Sequence, residues 1–143
     1  MNIKKVGVVG CGAMGSGIAQ VCAQSGYEVF VSEINQDILT KGLHAIEASL
    51  AKAEGRGKLT ERDKEGTLSR IRGTTDMNDF AACDLVVEVA VENLEIKKNI
   101  FTQLDTFAPQ HAILATNTSC LSVTDIAQAT GRPDKVLGLH FFN

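Results

Sequence analysis

The chain has 143 residues, 44% of them hydrophobic and 22% charged, with a formal net charge of −3. That length is enough for one domain with a packed core, and the balance lacks the basic excess that holds nucleic acid or an anionic membrane surface. No run is long and apolar enough to span a bilayer, and there is neither a low-complexity segment nor an internal repeat.

Lys4 and Lys5 ahead of VGVVGCGAMGSGIA mimic the basic and apolar parts of a signal peptide. Five glycines interrupt that stretch at fixed offsets, which fits a phosphate loop better than a targeting helix. Residues 6–9 predict the first strand. From 13 to 24 the pattern turns helical, and Gly26 stops it. Residues 29–31 predict a second strand, with Glu33 just beyond. Asn35 can cap a long helix carrying Leu39, Leu43, Ile46 and Leu50 at helical spacing. That helix runs into the glycine and cation cluster EGRGK. Thr60 can cap a further helix to about residue 71, and a short strand lies near 70–74. DLVVEV, residues 84–89, predicts a buried strand. Residues 92–107 predict a helix with Ile96, Ile100, Leu104 and Phe107 on one face. Residues 112–115 predict a strand and 117–119 a loop. Ser122 with Asp125 resembles a capping box for a helix to about residue 129. Arg132–Pro133 breaks it, and 136–142 predicts a last, buried strand.

Strands alternating with helices imply a parallel sheet with helices on both faces. Right-handed crossovers make it doubly wound, an α/β Rossmann-type sheet. No linker divides the chain, so residues 1–143 are expected to form one domain. The cysteines Cys11, Cys22, Cys83 and Cys120 form no CxxC pair and no zinc spacing. No metal is expected, and free thiols in a reducing cytoplasm are.

GCGAMG, residues 10–15, fits GxGxxG. Gly10 permits the tight turn, Gly12 lets a pyrophosphate approach the backbone, and Gly15 lets the helix pack close to the sheet. Cys11, Ala13 and Met14 complete the loop, whose helix start offers free N–H groups to phosphate. Glu33 lies 21 residues beyond Gly12, after the second strand, where an acid can accept from the adenosine ribose hydroxyls. Its carboxylate would repel a 2′-phosphate, so NAD is expected over NADP. No Gly-Lys-Ser/Thr follows, which excludes a P-loop.

In such sheets ligands sit beyond the carboxyl ends of the strands. Glu92 and Lys97 follow one strand, Asn117 and Ser119 another, and His140 and Asn143 lie near the last. Each also has a plainer reading. Glu92 can complement a helix start, Lys97 can be solvated, and Asn117 and Ser119 can shape a turn. His140 fits a hydrogen-bonded core histidine as well as a general acid/base. His44 and His111 have no comparable setting.

VGVVGCGAMGSGIAQ, DLVVEVAVENLEIKKNIFTQLD, ATNTSCLSVTDIA and GLHFFN together resemble the 3-hydroxyacyl-CoA dehydrogenases, and within them the bacterial short-chain forms. The likeness covers essentially the whole chain. It implies NAD-linked interconversion of a (3S)-3-hydroxyacyl-CoA and a 3-oxoacyl-CoA such as acetoacetyl-CoA. His140 would be the general acid/base, Ser119 would hold the substrate oxygen and touch the cofactor, and Asn117 would sit beside it. Glu92, Lys97 and Asn143 would lie near the nicotinamide and its ribose. Ser49, Lys52 and Arg56 match positions that contact CoA, whose phosphates suit cations, although a solvated helix end explains Lys52 equally well.

The family often reads NTSS where this chain has NTSC, so Cys120 stands where a serine is usual. The family motif also continues into a proline, a glutamate paired with the histidine, and a helical second domain that closes the cleft and forms a homodimer. The chain is therefore expected to be the N-terminal cofactor domain of such an enzyme. Two other readings stay open here: a stand-alone NAD-binding module without catalysis, and another two-domain NAD dehydrogenase of hydroxy acids.

Overall fold

Strand β1 (Lys5–Val9) is buried from Val6 onward and lies inside a six-stranded sheet of order β3-β2-β1-β4-β5-β6. A strand covered on both faces need not alternate polar and apolar residues, and KVGVV does not. The structure is a computed structural model that describes residues 2–141. On one side of β1 lie β2 (Glu28–Ser32) and β3 (Ile71–Thr74). On the other lie β4 (Leu85–Glu88), β5 (Ile113–Thr116) and β6 (Val136–Gly138). Every pairing is parallel.

The helices are α1 (Ala13–Gln24), α2 (Gln36–Gly55), α3 (Glu61–Ser69), α4 (Leu94–Phe107) and α5 (Val123–Ala127). They cover the sheet as two cores. Val8 and Val31 pack with Ile18 of α1 and Leu39, Ile46 and Leu50 of α2. Val9, Val86 and Leu114 pack with Phe101 and Leu104 of α4, Ile126 of α5 and Phe80. Val8 and Val9 fall in different cores because successive strand side chains point to opposite faces. The strand order reverses between β1 and β4, and a crevice opens there beyond the carboxyl ends.

Local chemistry sets the helix starts. The Asn35 side chain accepts from the Ile38 N–H at 2.9 Å, and Thr60 with Asp63 forms a complete capping box. Ser122 accepts from Asp125 N–H without a reciprocal bond among the described residues. Helix α4 starts at Leu94, two residues later than expected, because Asn93 caps it by accepting from Ile96 N–H. Its buried face is Lys97, Phe101 and Leu104. Ile96, expected on that face, is exposed, while Ile100 and Phe107 are half-buried. Helix α5 ends at Ala127, short of residue 129. Two 3-10 turns, Met77–Ala82 and Pro133–Lys135, were not anticipated.

The last strand differs most from expectation. It ends at Gly138, sits at the sheet edge and is only partly covered. Leucine and phenylalanine after it signal apolar contact, but not sheet pairing. Leu139 N–H still donates to Thr116 O at 2.9 Å, and Phe141 is half-buried against the α1 core. Phe142 and Asn143, also assigned to that strand or its site, lie outside the described residues.

Candidate functional site

The β1–α1 turn has the geometry of an anion cradle. Gly10 has φ +109°, a left-handed conformation that side chains disfavour, and a Cβ there would lie 2.8 Å from Val89 O. A Cβ on Gly15 would lie 1.9 Å from Gly10 O, so only glycine lets α1 fold back this closely. Gly12 faces open space. It is also the N-cap of α1, has no side-chain cap, and is followed by a first turn without acids. The first N–H groups of α1 are therefore left for an outside acceptor, and the positive end of the helix dipole is not neutralised. Ala13 is exposed in that turn, and Met14 packs into the core.

Cys11 is buried, and its N–H donates to Glu33 Oε2 at 2.9 Å. Burial first, and the Glu33 charge second, push its thiol up to about 11. Glu33 Oε1 accepts from Ile34 N–H at 2.9 Å. Two backbone donors thus fix the carboxylate and leave its other lone pairs for hydroxyls. Glu33, Gly10 and Gly12 share a mostly apolar cleft of about 650 Å³ with Ile34, Val91 and Ile96. The latter three are exposed apolar side chains, as a flat heteroaromatic base requires. Open backbone at Gly12, an uncapped helix and an aimed acid suit the phosphates, ribose and base of NAD.

Beyond β4 and β5 stands a polar cluster that joins the two strand ends. Glu88, the last residue of β4, is 0% exposed and Lys97 of α4 is 1% exposed, with Lys97 Nζ 2.5 Å from Glu88 Oε2. Glu88 also accepts from Ala90 N–H at 2.6 Å and from the Thr116 hydroxyl at 2.7 Å. Lys97 reaches Ala90 O at 3.3 Å and Glu92 Oε1 at 3.2 Å. Glu92 Oε2 accepts from the Thr118 hydroxyl at 2.6 Å and the Cys120 thiol at 3.2 Å. Partial burial alone would raise the Glu92 carboxyl. The bonds from Thr118, Cys120 and Lys97, with the lysine charge, outweigh it and lower the pKa.

Asn117 follows β5, and its Oδ1 accepts from Phe141 N–H at 2.7 Å. With the Leu139 bond, residues on either side of His140 are tied to the end of β5. His140 itself is exposed, as is Ser119. The structure therefore gathers Glu92, Lys97, Asn117, Ser119 and His140 around one pair of strand ends. Lys97 is a buried ion-pair partner there, not a solvated helix residue.

Ser49, Lys52 and Arg56 do not join that group. All three are exposed on one side of the last turns of α2. Lys52 stands about 24 Å along the helix axis from Gln36 at about 1.5 Å per residue. Leu59, just past α2, and Gln24, the last residue of α1, line a cavity at the amino edge of the sheet.

Sequence reasoning missed Glu88, Thr116, Thr118 and Gly42. A glutamate inside an otherwise apolar strand, LVVEV, was the available signal for Glu88. Gly42 had none, yet a Cβ there would lie 2.2 Å from Cys11 Sγ, so α2 presses directly on the glycine loop.

Comparison with known proteins agrees with this geometry. Residues 5–143 match the family described as 3-hydroxyacyl-CoA dehydrogenase, NAD binding domain. A probable 3-hydroxybutyryl-CoA dehydrogenase from Deinococcus radiodurans is 50% identical over 139 residues, covering 97% of this chain and 50% of the relative. A 3-hydroxybutyryl-CoA dehydrogenase from Mycobacterium tuberculosis is 46% identical over 142 residues, 99% of this chain and 50% of the relative. The crystal structure of (S)-3-hydroxybutyryl-CoA dehydrogenase from Ralstonia eutropha matches with a TM-score of 0.96 at 42% identity, over 99% of this chain and 50% of that one. The chain spans about half the length of the curated relatives it matches.

Proposed function

The chain belongs to the NAD-binding domain family of the 3-hydroxyacyl-CoA dehydrogenases, and we propose that it is the cofactor half of an enzyme interconverting (3S)-3-hydroxybutyryl-CoA and acetoacetyl-CoA. Its cofactor is NAD. When bound, NAD supplies the hydride acceptor for C3 of the hydroxyacyl chain. Gly10, Gly12 and the first turn of α1 hold the phosphates, and Glu33 holds the adenosine ribose. His140 takes the proton of the 3-hydroxyl as C3 is oxidised, and returns it in the reverse direction. An imidazole suits this because its ordinary pKa lies near neutrality. Ser119 hydrogen-bonds the substrate oxygen, and Asn117 holds the 139–141 backbone in place beside it.

The observation that supports this reading most is the pair of hydrogen bonds flanking His140, from Leu139 to Thr116 and from Phe141 to Asn117. They hold the imidazole's backbone at the strand ends next to the nucleotide cleft. Lys52 and Arg56 would meet the CoA phosphates, outside the cleft. Four free cysteines fit a reducing, cytoplasmic setting, and no described helix is long and apolar enough to cross a membrane. Pairing into a homodimer would fall to the part of the relatives that this chain does not span.

The test is acetoacetyl-CoA-dependent oxidation of NADH by the full-length enzyme that carries this half, since the half alone is expected to turn over poorly, with His140→Gln as the diagnostic variant. Loss of a positioned acid/base lowers kcat roughly 100- to 10,000-fold while NADH still binds. Unchanged kcat in His140→Gln would remove His140 from the chemistry.

A further inference from the structure

The cleft that holds Glu33 has a lining of two kinds. Gly10, Gly12 and Glu33 offer open backbone and a carboxylate, whereas Ile34, which is 86% exposed, and Ile96 and Ile100 of α4 offer apolar walls. Among the described residues that line it, Glu33 alone is charged. A flat, neutral heteroaromatic ring suits such walls, and a few placed polar groups then fix which ring is held.

Two neutral polar side chains of α4, Asn99 and Gln103, belong to the same lining. They stand four residues apart on one helix face, and Gln103 Nε2 donates to Asn99 Oδ1 at 3.5 Å. Polar residues on the outer side of an amphipathic helix are ordinary. These two differ in lining the cleft beside Ile96 and Ile100 of the same helix. Each amide carries an NH₂ donor and a carbonyl acceptor. With Gln103 donating to the Asn99 oxygen, Asn99 Nδ2 is left to donate and Gln103 Oε1 to accept. Turning both amides over gives the same pair in reverse order. A donor beside an acceptor is the complement of the outer edge of adenine, where the N6 amino group donates next to the N1 acceptor.

We propose that Asn99 and Gln103 read the edge of the adenine ring, so that the cleft selects the base as well as the ribose. The apolar walls give affinity for any flat ring. The amide pair chooses among rings, because a ring that cannot match it leaves polar groups unpaired. The inference rests on the reading that the chain binds NAD(H) with its adenosine ribose on Glu33.

The diagnostic ligand is nicotinamide 1,N6-ethenoadenine dinucleotide. Its phosphates, riboses and nicotinamide are those of NAD, and its ring is still flat. The etheno bridge removes the N6 hydrogens and ties up N1. Asn99→Leu combined with Gln103→Leu removes both amides at similar volume. Both positions are exposed, so the buried face of α4, made by Lys97, Phe101 and Leu104, is untouched. Either single variant leaves one amide with both a donor and an acceptor, and so keeps part of the preference.

The experiment is calorimetric titration of the unaltered chain, both single variants and the double variant with NAD⁺ and with the etheno compound. The affinity ratio of NAD⁺ over the etheno compound should fall at least about fivefold in the double variant, through weaker NAD⁺ binding, and by less in each single variant. The extra bulk of the etheno ring weighs on all four proteins alike and leaves the change in ratio intact. A ratio that is the same in all four, whether or not both affinities fall together, would overturn the proposal. A ratio that falls only because the etheno compound binds more tightly would also overturn it, since the amides would then merely obstruct a larger ring. Failure of the unaltered chain to bind either compound would strike the NAD reading itself, and this inference with it.

Discussion

Glu33 does two jobs with one carboxylate. It accepts from Cys11 in the glycine loop and from Ile34 beside it, so the residue proposed to read the ribose also fixes the loop proposed to receive the phosphates. Glu33→Ala should therefore weaken NADH binding by at least about tenfold, about 1.4 kcal/mol, and narrow the gap to NADPH. Calorimetry on the variant checks it; an unaltered NADH affinity would put the ribose elsewhere. Arg56 is the second single-residue case. In the full-length enzyme proposed to carry this half, Arg56→Glu should raise KM for acetoacetyl-CoA and leave NADH affinity alone, and an unchanged KM would exclude it from the CoA site. The glycine turn and the acid beside it were legible in the sequence because their demands are local: a turn only glycine can make, and an acid at a set distance after a strand. The Glu88 cluster was not. Its members lie 9 and 28 residues apart, and only the sheet brings them together.

At the scale of elements, α1 and α4 show how close approach and buried charge hold the site. Gly17 faces open space on α1, whereas Gly15 is pressed against Gly10 O. Gly17→Ala should stabilise the helix by up to about 1 kcal/mol, while Gly15→Ala should lower stability and nucleotide affinity together. Urea unfolding midpoints separate the two; equal effects would contradict the packing described here. The far end of α4 depends on Arg132. It is buried, meets Asp105 Oδ1 at 2.8 Å, and donates to the carbonyls of Asp105, Ala108, Pro109 and Ala112. Arg132→Ala would leave the carbonyls at that helix end without this donor and Asp105 with only the Gly131 N–H, at a cost of about 1–3 kcal/mol. In the sequence, Arg-Pro reads only as a helix breaker. A side chain folding back over a preceding helix leaves no periodic signal.

Across the whole molecule, the amino edge is tied by Asp84. Its Oδ2 accepts from Lys4 and Lys5 N–H at 2.9 and 3.1 Å, and its Oδ1 lies 2.8 Å from His111 Nε2. The His111 bond first, then the Lys4 N–H, hold its carboxyl down at about 2. A depressed carboxyl stabilises the fold above its unfolded value, about 3.9. That stability is lost as pH falls from about 4 towards about 2. Asp84→Asn should remove this part of the acid sensitivity, read as a smaller drop in melting temperature over that interval; an identical drop would show that Asp84 carries no such linkage. The alternation of strands and helices made the doubly wound sheet readable from the chain. The last strand was misjudged because residues 139–141 are held for a different reason: the N–H groups of Leu139 and Phe141 are tied across the end of β5 rather than within a longer ladder.

This sheet is proposed to present one NAD(H) site in which Glu33 selects against a 2′-phosphate. Calorimetric titration of the unaltered chain with NADH and with NADPH tests it most directly. One NADH should bind per chain, at least about tenfold tighter than NADPH because a carboxylate meets the added phosphate with like charge. Equal or tighter binding of NADPH, or no binding of NADH, would contradict it.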